Sequence, residues 1–380
     1  MRTSHALTRI IVSFLGTSVI AATALAVHAK DLETAEDPAS ASTAALDTES
    51  LDHMEKVASG FRRRGLYAPA EIIMQKVFAA RQQKLGPNHP EMAYYHNDLG
   101  LLQAEQGKFA EATAHYIQAI AITEKHWGQN HPDLADQFNN LAGIYRSQAR
   151  FTEAEVLYQR SIEIWENFFG PDDRNIGLAL NNLGGLYALQ GRYSAAEALF
   201  QRALQILERD VDIENPEVTA AVNNLAWIYT KQGRLAKAEA LYKQIVKIWV
   251  EVHGLEHPAV AIGLNNLGTV YRSLLDPARA ELFFRQALAI QEKILGTEHP
   301  DIAITLKNLA EVYRDQSRSV EAQPLYGRAL AISEKFLGET HPQTVEMKRG
   351  YAQLVSEDSG TEPIEERRQP DTLPTTDRID

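Results

Sequence analysis

The sequence predicts an all-α fold, an α-solenoid in which about seven helix hairpins stack in a row and a single C-terminal helix caps the last one. Three observations support this prediction. A His-Pro dipeptide returns at steps of 42 residues, apolar residues recur at helical spacing within each unit, and glycines separate the two halves of a unit. Because one hairpin of this size cannot bury its apolar face alone, neighbouring units must stack into a continuous core.

The His-Pro column marks the start of a helix in each unit. Proline suits the first turn, where no N–H donor is needed, and the residue before it is then the N-cap. Asp and Asn, which replace His in two units, are themselves preferred caps. We therefore interpret the column as structural, and histidines one repeat apart cannot share a metal ion. Its members are His89, His131, Asp173, Asn215, His257, His299 and His341.

Each unit contains two helices, which we call helix A and helix B. The apolar residues of helix A recur at i, i+3, i+4 and i+7, which is the α-helical period, as in Leu264, Leu267, Gly268 and Tyr271. Helix B follows the same rule. Between the two helices stands a glycine that we expect in the left-handed conformation that ends helix A. These glycines are Gly65, Gly107, Gly191 and Gly233.

A column of small residues in helix A predicts close contact between helices. A glycine in the middle of a helix costs roughly 0.8–1 kcal/mol relative to alanine, so its recurrence at one position needs a compensating reason. We expect that the missing side chain lets a second helix approach closely. The column consists of Gly100, Ala142, Gly184, Ala226, Gly268 and Ala310.

The same columns set the expected organisation of the chain. Residues 1–29 are typical of a secretory signal peptide, with two arginines, an apolar run and a small residue, Ala29, at the expected cut. The run of roughly 16 apolar residues is shorter than the about 20 that a membrane span needs, and an uncleaved anchor is the alternative. We assign 30–46 to a flexible linker, 47–355 to the solenoid with its cap, and 356–380 to a disordered, acidic, proline-containing tail.

Composition argues against several classes of protein. Hydrophobic residues make up 44% and charged residues 23%, as in globular proteins, and the net charge of −12 argues against nucleic acid as a partner. The chain has no cysteine, which excludes disulfides, thiol catalysis and thiolate metal sites. Together with the N-terminal segment, this leads us to expect export to a bacterial periplasm and no membrane span after cleavage.

The repeats resemble the 42-residue tetratricopeptide repeats of the kinesin light chain type. The residues that carry the resemblance are VNNLAWIYTKQGRLAKAEALYKQIVKI, which begins at Val222, and RSQARFTEAEVLYQRSIEIWENFFG, from Arg146 to Gly170. The resemblance extends over about 48–355 and implies a right-handed superhelix. It also implies that helix A lines a concave groove for extended peptides, with paired asparagines on the peptide backbone. It leaves the ligand open.

Two adjacent asparagines recur in helix A and form two columns. Helical geometry places both away from the core of their own hairpin. A row of primary amides suits binding to a peptide main chain, but stacked amides can also bond to adjacent repeats, and both interpretations stay open. The first column is Asn97, Asn139, Asn181, Asn223 and Asn265, followed by Lys307. The second column begins at Asp98 and continues with Asn140, Asn182, Asn224, Asn266 and Asn308.

Two further helix A positions contribute to the candidate peptide-binding groove. Arg146, Arg272 and Arg314 share a column and suit an acidic side chain or a terminal carboxylate of a ligand, with exposed helix-end charges as the alternative. Trp227 stands where other repeats carry small or polar residues. It is a candidate anchor for an apolar ligand side chain, or it packs on a neighbouring repeat.

One early repeat departs from the pattern. His96, Gln103 and His115 occupy columns that are apolar or aromatic elsewhere. They form either a hydrogen-bonded site that responds to pH, because histidine titrates near neutrality, or a weakly packed and partly wet end repeat. His89, Glu91 and His96 do not have the spacing of metal ligands on a helix, so we expect no metal site.

These observations favour a non-enzymatic periplasmic adaptor that binds a peptide segment or a protein partner in its concave groove. The chain has no glycine-rich phosphate loop, nucleophile elbow or HExxH motif, so we expect no catalytic residues, and nothing in it indicates a cofactor. The alternative is a structural element that builds an envelope complex or a homo-oligomer through its edges or convex face. The sequence leaves the partner's identity and the oligomeric state open.

Overall fold

The computed structural model describes residues 47–209, 215–339 and 341–359, and all regular secondary structure within these ranges is α-helical. The predicted signal peptide and linker, and residues 360–380 of the predicted tail, lie outside the described residues. The helices of the described part are α1 (Thr48–Arg63), α2 (Tyr67–Leu85), α3 (Glu91–Ala104), α4 (Phe109–Trp127), α5 (Pro132–Ser147), α6 (Phe151–Phe169), α7 (Arg174–Leu189), α8 (Tyr193–Leu207), α9 (Pro216–Lys231), α10 (Leu235–His253), α11 (Pro258–Ser273), α12 (Pro277–Leu295), α13 (Pro300–Asp315), α14 (Ser319–Leu337) and α15 (Pro342–Ser359).

The odd-numbered helices α1 to α13 are helix A of successive repeats, the even-numbered ones are helix B, and α15 is the predicted cap. The chain divides into two compact units, of which the first ends at Leu241 and the second begins at Tyr242, within α10. In the first unit each helix from α1 to α8 packs against the next one along the chain. In the second unit each helix from α11 to α14 does the same. Such consecutive packing is that of an α-solenoid, which confirms the predicted fold class.

The residues of the His-Pro column cap the helices that they precede. The Nδ1 atom of His131 accepts a hydrogen bond of 3.3 Å from the N–H of Asp133. The side chains of Asp173 and Asn215 accept equivalent bonds of 2.9 Å. Because Nδ1 accepts only when it carries no proton, the histidine caps need a neutral imidazole. The structural interpretation of this column is confirmed.

The turn between helix A and helix B uses the left-handed conformation, as predicted for the four glycines, whose φ lies between 72° and 75°. Three residues with side chains adopt the same conformation at the corresponding place in other repeats. They are Ala149, Leu275 and Ser317, with φ of 58°, 58° and 60°. The backbone geometry therefore persists where the sequence has lost its glycine, at a cost of roughly 1–2 kcal/mol for each side chain.

The small residues of helix A lie directly under large aromatic side chains of helix B. A Cβ atom added to Gly184 would come within 2.8 Å of the Phe200 ring, and one added to Gly268 within 2.7 Å of the Phe284 ring. Both rings are fully buried. The predicted close approach is confirmed, and it joins the two helices within each hairpin.

Successive repeats are also joined by a polar contact that the columns described above do not include. Glu155 of α6 accepts hydrogen bonds of 2.7 Å from the Tyr187 hydroxyl and 2.9 Å from Arg192. The Arg192 guanidinium also lies over the Tyr187 ring, with Cζ 3.6 Å from the ring centroid. The second unit repeats this contact with Glu281, Tyr313 and Arg318. Among the described residues, no helix is both long enough and apolar enough to span a membrane.

Candidate functional site

The paired asparagines form a ladder of amide hydrogen bonds from one repeat to the next. In each pair the Nδ2 atom of the second-column residue donates to Oδ1 of the first-column residue one repeat earlier. In the first unit these bonds are Asn140 to Asn97 at 3.4 Å, Asn182 to Asn139 at 3.2 Å and Asn224 to Asn181 at 3.0 Å. In the second unit Asn308 donates to Asn265 at 3.2 Å. Contact between stacked amides, one of the two predicted interpretations, is therefore present.

Stacking of the repeats buries most of this ladder. Asn223 and Asn224 are each 1% exposed, whereas Asn97, Asn266 and Asn308 are half-buried. Helix α7 is the extreme case, because every residue from Ile176 to Ala188 is buried. Helical geometry alone places these amides outside their own hairpin core. The neighbouring repeats are what cover them.

Each amide of the ladder forms its hydrogen bond through only one of its two polar atoms, Nδ2 or Oδ1. Asn140, Asn182 and Asn224 donate through Nδ2, while their Oδ1 atoms are buried and accept no hydrogen bond within the described residues. The first-column residues show the reverse. Asn97, Asn139, Asn181 and Asn265 accept through Oδ1, and their Nδ2 atoms donate to no group in the part of the chain that the structure describes.

The two columns can therefore form different contacts. The second column supplies the donors that hold successive repeats together. In the first column an amide whose oxygen is already held cannot rotate freely, so its Nδ2 points in a fixed direction. A fixed and unused N–H donor suits a carbonyl oxygen of an added chain, because an unmade hydrogen bond of a covered amide costs about 1–3 kcal/mol.

Each column has a charged residue at one of its ends, and that residue forms an ion pair within the protein. Asp98 opens the second column, and its carboxylate lies 2.7 Å from Nη1 of Arg62. Burial raises the pKa of Asp98, and the Arg62 charge opposes that effect. Lys307, which closes the first column, pairs with Glu346 of the capping helix and with Glu311 at 3.4 Å.

The arginine column divides into paired and unpaired members. Arg272 lies against Glu311 and Asp315, and Arg314 lies 3.9 Å from Asp315. Arg146 is buried, with 7% of its surface exposed, and makes no ion pair or side-chain hydrogen bond among the described residues. Carboxylate binding stays a prediction for all three, but Arg272 and Arg314 already have acidic partners within the protein.

Trp227 is half-buried rather than fully exposed. Its ring packs edge-on against Tyr193, at 6.0 Å between centroids, and the Lys231 amine lies 5.1 Å from its centroid. Packing on a neighbouring element, one of the two interpretations, is therefore observed. The remaining exposed surface keeps the anchor role as a prediction.

The three polar residues of the irregular repeat are hydrogen-bonded and largely buried. The Nδ1 atoms of His96 and His115 lie 2.8 Å apart, and both rings contact Phe78. Gln103 donates to Glu71 at 3.1 Å. His96 is 9% and Gln103 is 5% exposed, whereas His115 is half-buried.

Burial sets the protonation of the cluster. It lowers the pKa of His96 to about 4, with a further contribution from the nearby His115, and it also lowers the pKa of His115. Two imidazoles joined through Nδ1 need a proton on one Nδ1 and none on the other, so the ring that accepts is neutral when this bond is formed. Among the described residues, no group of three or more histidine, cysteine or acidic side chains is arranged to hold a metal ion.

Comparisons with known proteins agree with this architecture. The family profile described as tetratricopeptide repeat matches residues 47–125, 133–209, 217–293, 283–335 and 301–365. No curated protein matches the chain.

Solved structures of similar repeats are known. BtubC (BKLC) from P. vanneervenii is 26% identical, with a TM-score of 0.51 over 62% of this chain and 93% of that one. A putative kinesin light chain from Podospora anserina, with nearly identical TPR-like repeats, is 25% identical, with a TM-score of 0.48 over 55% and 98% of the two chains. The family profile matches well over half of the residues of this chain, and the hairpins of the chain recur at steps of 42 residues. The chain therefore belongs to the tetratricopeptide repeat family, with repeats of the kinesin light chain type.

Proposed function

We propose that the protein is a non-enzymatic, exported adaptor that binds an extended segment of a partner protein along its helix A surface. Tetratricopeptide repeats are a general scaffold for contacts between proteins, which supports the class of function. The N-terminal 29 residues supply the reason for proposing export to the periplasm. The acidic net charge of −12 makes a nucleic acid an unfavourable partner.

The observation that carries this proposal is the set of unused amide donors in the first asparagine column. Asn139 and Asn181 lie one repeat apart on α5 and α7, and the ladder fixes both amides through Oδ1. An extended peptide presents carbonyl oxygens at regular intervals and needs donors of this kind. Because a main-chain carbonyl is common to every residue, such contacts give affinity without requiring a particular sequence.

A pair of substitutions separates the role of the ladder from that of the proposed contact. Asn139→Asp with Asn181→Asp keeps an oxygen for the ladder bond and replaces each free N–H donor by an acceptor. The control variant carries Asn167→Asp and Asn130→Asp. Both residues are exposed, so this variant adds the same charge away from helix A.

The experiment selects linear peptides from a phage-displayed library on the purified wild-type chain and measures their affinity by calorimetry. We expect the first pair of changes to weaken binding by about tenfold or more, since two hydrogen bonds of about 1 kcal/mol are lost. We expect the control pair to bind like wild type. Circular dichroism checks that each variant remains helical. Equal affinities for all three proteins, or selection of no peptide, would contradict the proposal.

A second candidate function, a structural element of an envelope complex or homo-oligomer, has one specific observation in its favour. Large apolar side chains are exposed where α4 and α6 end. Trp127, Phe168 and Phe169 are 45%, 62% and 52% exposed. Light scattering tests this candidate. A mass that rises with protein concentration and falls after Phe168→Ser with Phe169→Ser favours assembly, and a constant mass counts against it.

A further inference from the structure

We propose that the turn between α5 and α6 is a binding site for a small anionic group, a carboxylate, in a place that a glutamate of the chain itself fills in other repeats. Its residues are Thr113 of α4, Tyr145 of α5 and Arg150 of the turn. Tyr145 lies on the side of α5 that faces the hairpin core, and helical geometry places the asparagine columns on other sides. The site is therefore separate from the surface proposed to bind a partner segment and goes beyond the proposed function.

A column of acids on helix B shows what this place holds in other repeats. Glu155 accepts hydrogen bonds of 2.7 Å from the Tyr187 hydroxyl and 2.9 Å from Nη1 of Arg192. In each such contact the arginine follows the acid by 37 residues, so the contact joins helix B to the turn of the next repeat. Two further acids make the same pairing, Glu197 with Arg234 at 2.6 Å and Glu281 with Arg318 at 2.7 Å.

One repeat carries Thr113 in this column instead of an acid. Thr113 stands 42 residues before Glu155 and 37 residues before Arg150. Its Oγ1 atom is buried and has no hydrogen-bond partner among the described residues. A threonine oxygen lies two bonds closer to the backbone than a glutamate carboxylate oxygen does. The repeat therefore lacks the acceptor that its neighbours have, and it adds a hydroxyl that has no partner in the described part of the chain.

The donors keep their arrangement although the acid is missing. The Arg150 guanidinium lies over the Tyr145 ring, with Cζ 3.8 Å from the centroid, and the equivalent distance for Arg192 over Tyr187 is 3.6 Å. The backbone N–H of Arg150 donates to the Tyr145 carbonyl at 2.8 Å, and the equivalent bond of Arg192 measures 2.9 Å. A carboxylate would therefore meet donors that are already in position, which lowers the entropic cost of binding.

Arg150 can accept a carboxylate although it already has one acidic neighbour. Its Nε and Nη2 atoms donate to Glu153 at 3.1 and 2.5 Å, and its Nη1 atom has no acidic partner among the described residues. Arg318 shows that such an arginine binds a second acid. It donates to Glu321 through Nε and Nη2, and to Glu281 through Nη1. A carboxylate at Nη1 of Arg150 would reproduce the contact between Arg318 and Glu281.

The place can be reached from solvent, and its donors set the class of ligand. In the repeats that have the acid, the side chains of Glu155 and Glu281 are 23% and 21% exposed. One guanidinium N–H and two hydroxyls suit a carboxylate, whose two oxygens offer about four acceptor positions. Such a group comes either from a small free carboxylate or from an Asp or Glu side chain of another protein.

The experiment measures the thermal denaturation midpoint of the purified chain in sodium acetate and in sodium chloride of equal concentration, at neutral pH. Thr113→Glu supplies the missing acid and is the matched control. Tyr145→Phe removes one donor from the site. Glu155→Thr removes the acid beside Tyr187 and Arg192, so it creates a second site of the same kind. Circular dichroism reports the folding of each variant.

We expect acetate to raise the midpoint of wild type relative to chloride, with half of the effect at about 10 mM, as a few exposed charge-assisted hydrogen bonds provide. Thr113→Glu should have a higher midpoint than wild type in chloride and a smaller response to acetate, because its own carboxylate fills the place. Tyr145→Phe should need about threefold more acetate or a higher excess. Glu155→Thr should respond more strongly than wild type.

Two tripeptides distinguish the sources of the carboxylate. Acetyl-Gly-Glu-Gly-amide and acetyl-Gly-Gln-Gly-amide are titrated into wild type in the same assay. Half of the effect at a tenfold lower concentration of the Glu peptide than of acetate would assign the place to a protein side chain. An equal or higher concentration would assign it to a small free carboxylate. The Gln peptide should have no effect.

Two results would overturn the inference. Equal responses to acetate of wild type, Thr113→Glu and Tyr145→Phe would show a general effect of the salt. A folded Glu155→Thr variant whose response does not exceed that of wild type would show that a missing acid creates no site. Either result leaves the proposed adaptor function intact, because that function depends on the first asparagine column.

Discussion

The Nδ2 atom of Asn182 donates a hydrogen bond of 3.2 Å to the Oδ1 atom of Asn139, one repeat earlier in the stack. Both residues are at most 3% exposed. The contact therefore belongs to the interface between α5 and α7, and it sets the direction of the remaining Asn139 donor. One bond links the stability of the solenoid to the surface proposed to bind a partner.

We expect Asn182→Ala to lower the free energy of unfolding by about 1–3 kcal/mol, because it leaves Oδ1 of Asn139 without its donor. The exposed Asn167→Ala should change it by less than about 0.5 kcal/mol. Urea denaturation followed by circular dichroism measures both. An effect of Asn182→Ala no larger than that of Asn167→Ala would show that the ladder does not stabilise the stack.

The close approach of helices A and B predicts opposite effects for two glycine substitutions in the second unit. Gly268→Ala adds a Cβ within 2.7 Å of the Phe284 ring, so we expect a net loss of about 1–2 kcal/mol despite the better helix propensity of alanine. Gly327→Ala, in α14, meets no atom within 4 Å and should stabilise the protein by about 0.5–1 kcal/mol. Thermal denaturation of the two variants would contradict this account if both shifts had the same sign.

The left-handed turns without glycine predict a stabilising change. Leu275 has φ of 58° and is 89% exposed, so its side chain contributes strain and little packing. We expect Leu275→Gly to raise the free energy of unfolding by about 0.5–1 kcal/mol, since relief of strain exceeds the added entropy of the unfolded chain. Gly191→Ala, at the equivalent turn of another repeat, should lower it by a similar amount. Chemical denaturation is the measurement, and a destabilised Leu275→Gly would contradict the assignment of strain.

The histidine pair predicts a specific dependence of stability on pH. The pKa of His96 is about 4 in the folded chain and near 6.5 when unfolded, so the unfolded chain binds the proton first. The contribution of a neutral His96 is complete above pH 6.5 and is lost as the pH falls toward 4. At pH 5 we expect a loss of about 2 kcal/mol relative to pH 8.

A variant tests that this loss comes from the pair. His96→Leu with His115→Leu introduces the residues that equivalent columns carry at Leu180 and Leu157. Denaturation midpoints at pH 8 and pH 5 should differ less in this variant than in wild type. Equal pH dependence of the two proteins would show that the effect does not come from this pair.

Much of the fold could be predicted because each element depends on local chemistry repeated many times. The caps follow from the hydrogen-bonding ability of His, Asp and Asn before a helix, and the close approach follows from glycine opposite an aromatic ring. Ala149, Leu275 and Ser317 could not be placed in the left-handed conformation, because nothing in those side chains favours it. The repeat imposes it on them.

The site was less accessible to prediction because it depends on register between repeats. Helical geometry places the two asparagine columns, but which amide donates to which residue depends on how α7 lies on α5. The difference between Arg146 and Arg272 was visible in part, since Glu311 and Asp315 stand at fixed distances after Arg272 and have no acidic counterparts after Arg146. The sequence alone does not show which sequence separation brings an acid of the next repeat into contact with the arginine.

The most direct test of the central claim is photo-cross-linking of a selected peptide that carries a diazirine group to the purified chain, followed by mass spectrometry. If the adaptor binds an extended segment along helix A, the labels will lie on α3, α5 and α7, near Asn97, Asn139 and Arg146, and unlabelled peptide will compete them away. The claim would be contradicted if the labels that unlabelled peptide removes lay only on the even-numbered helices, or only on the exposed aromatic side chains at the ends of α4 and α6.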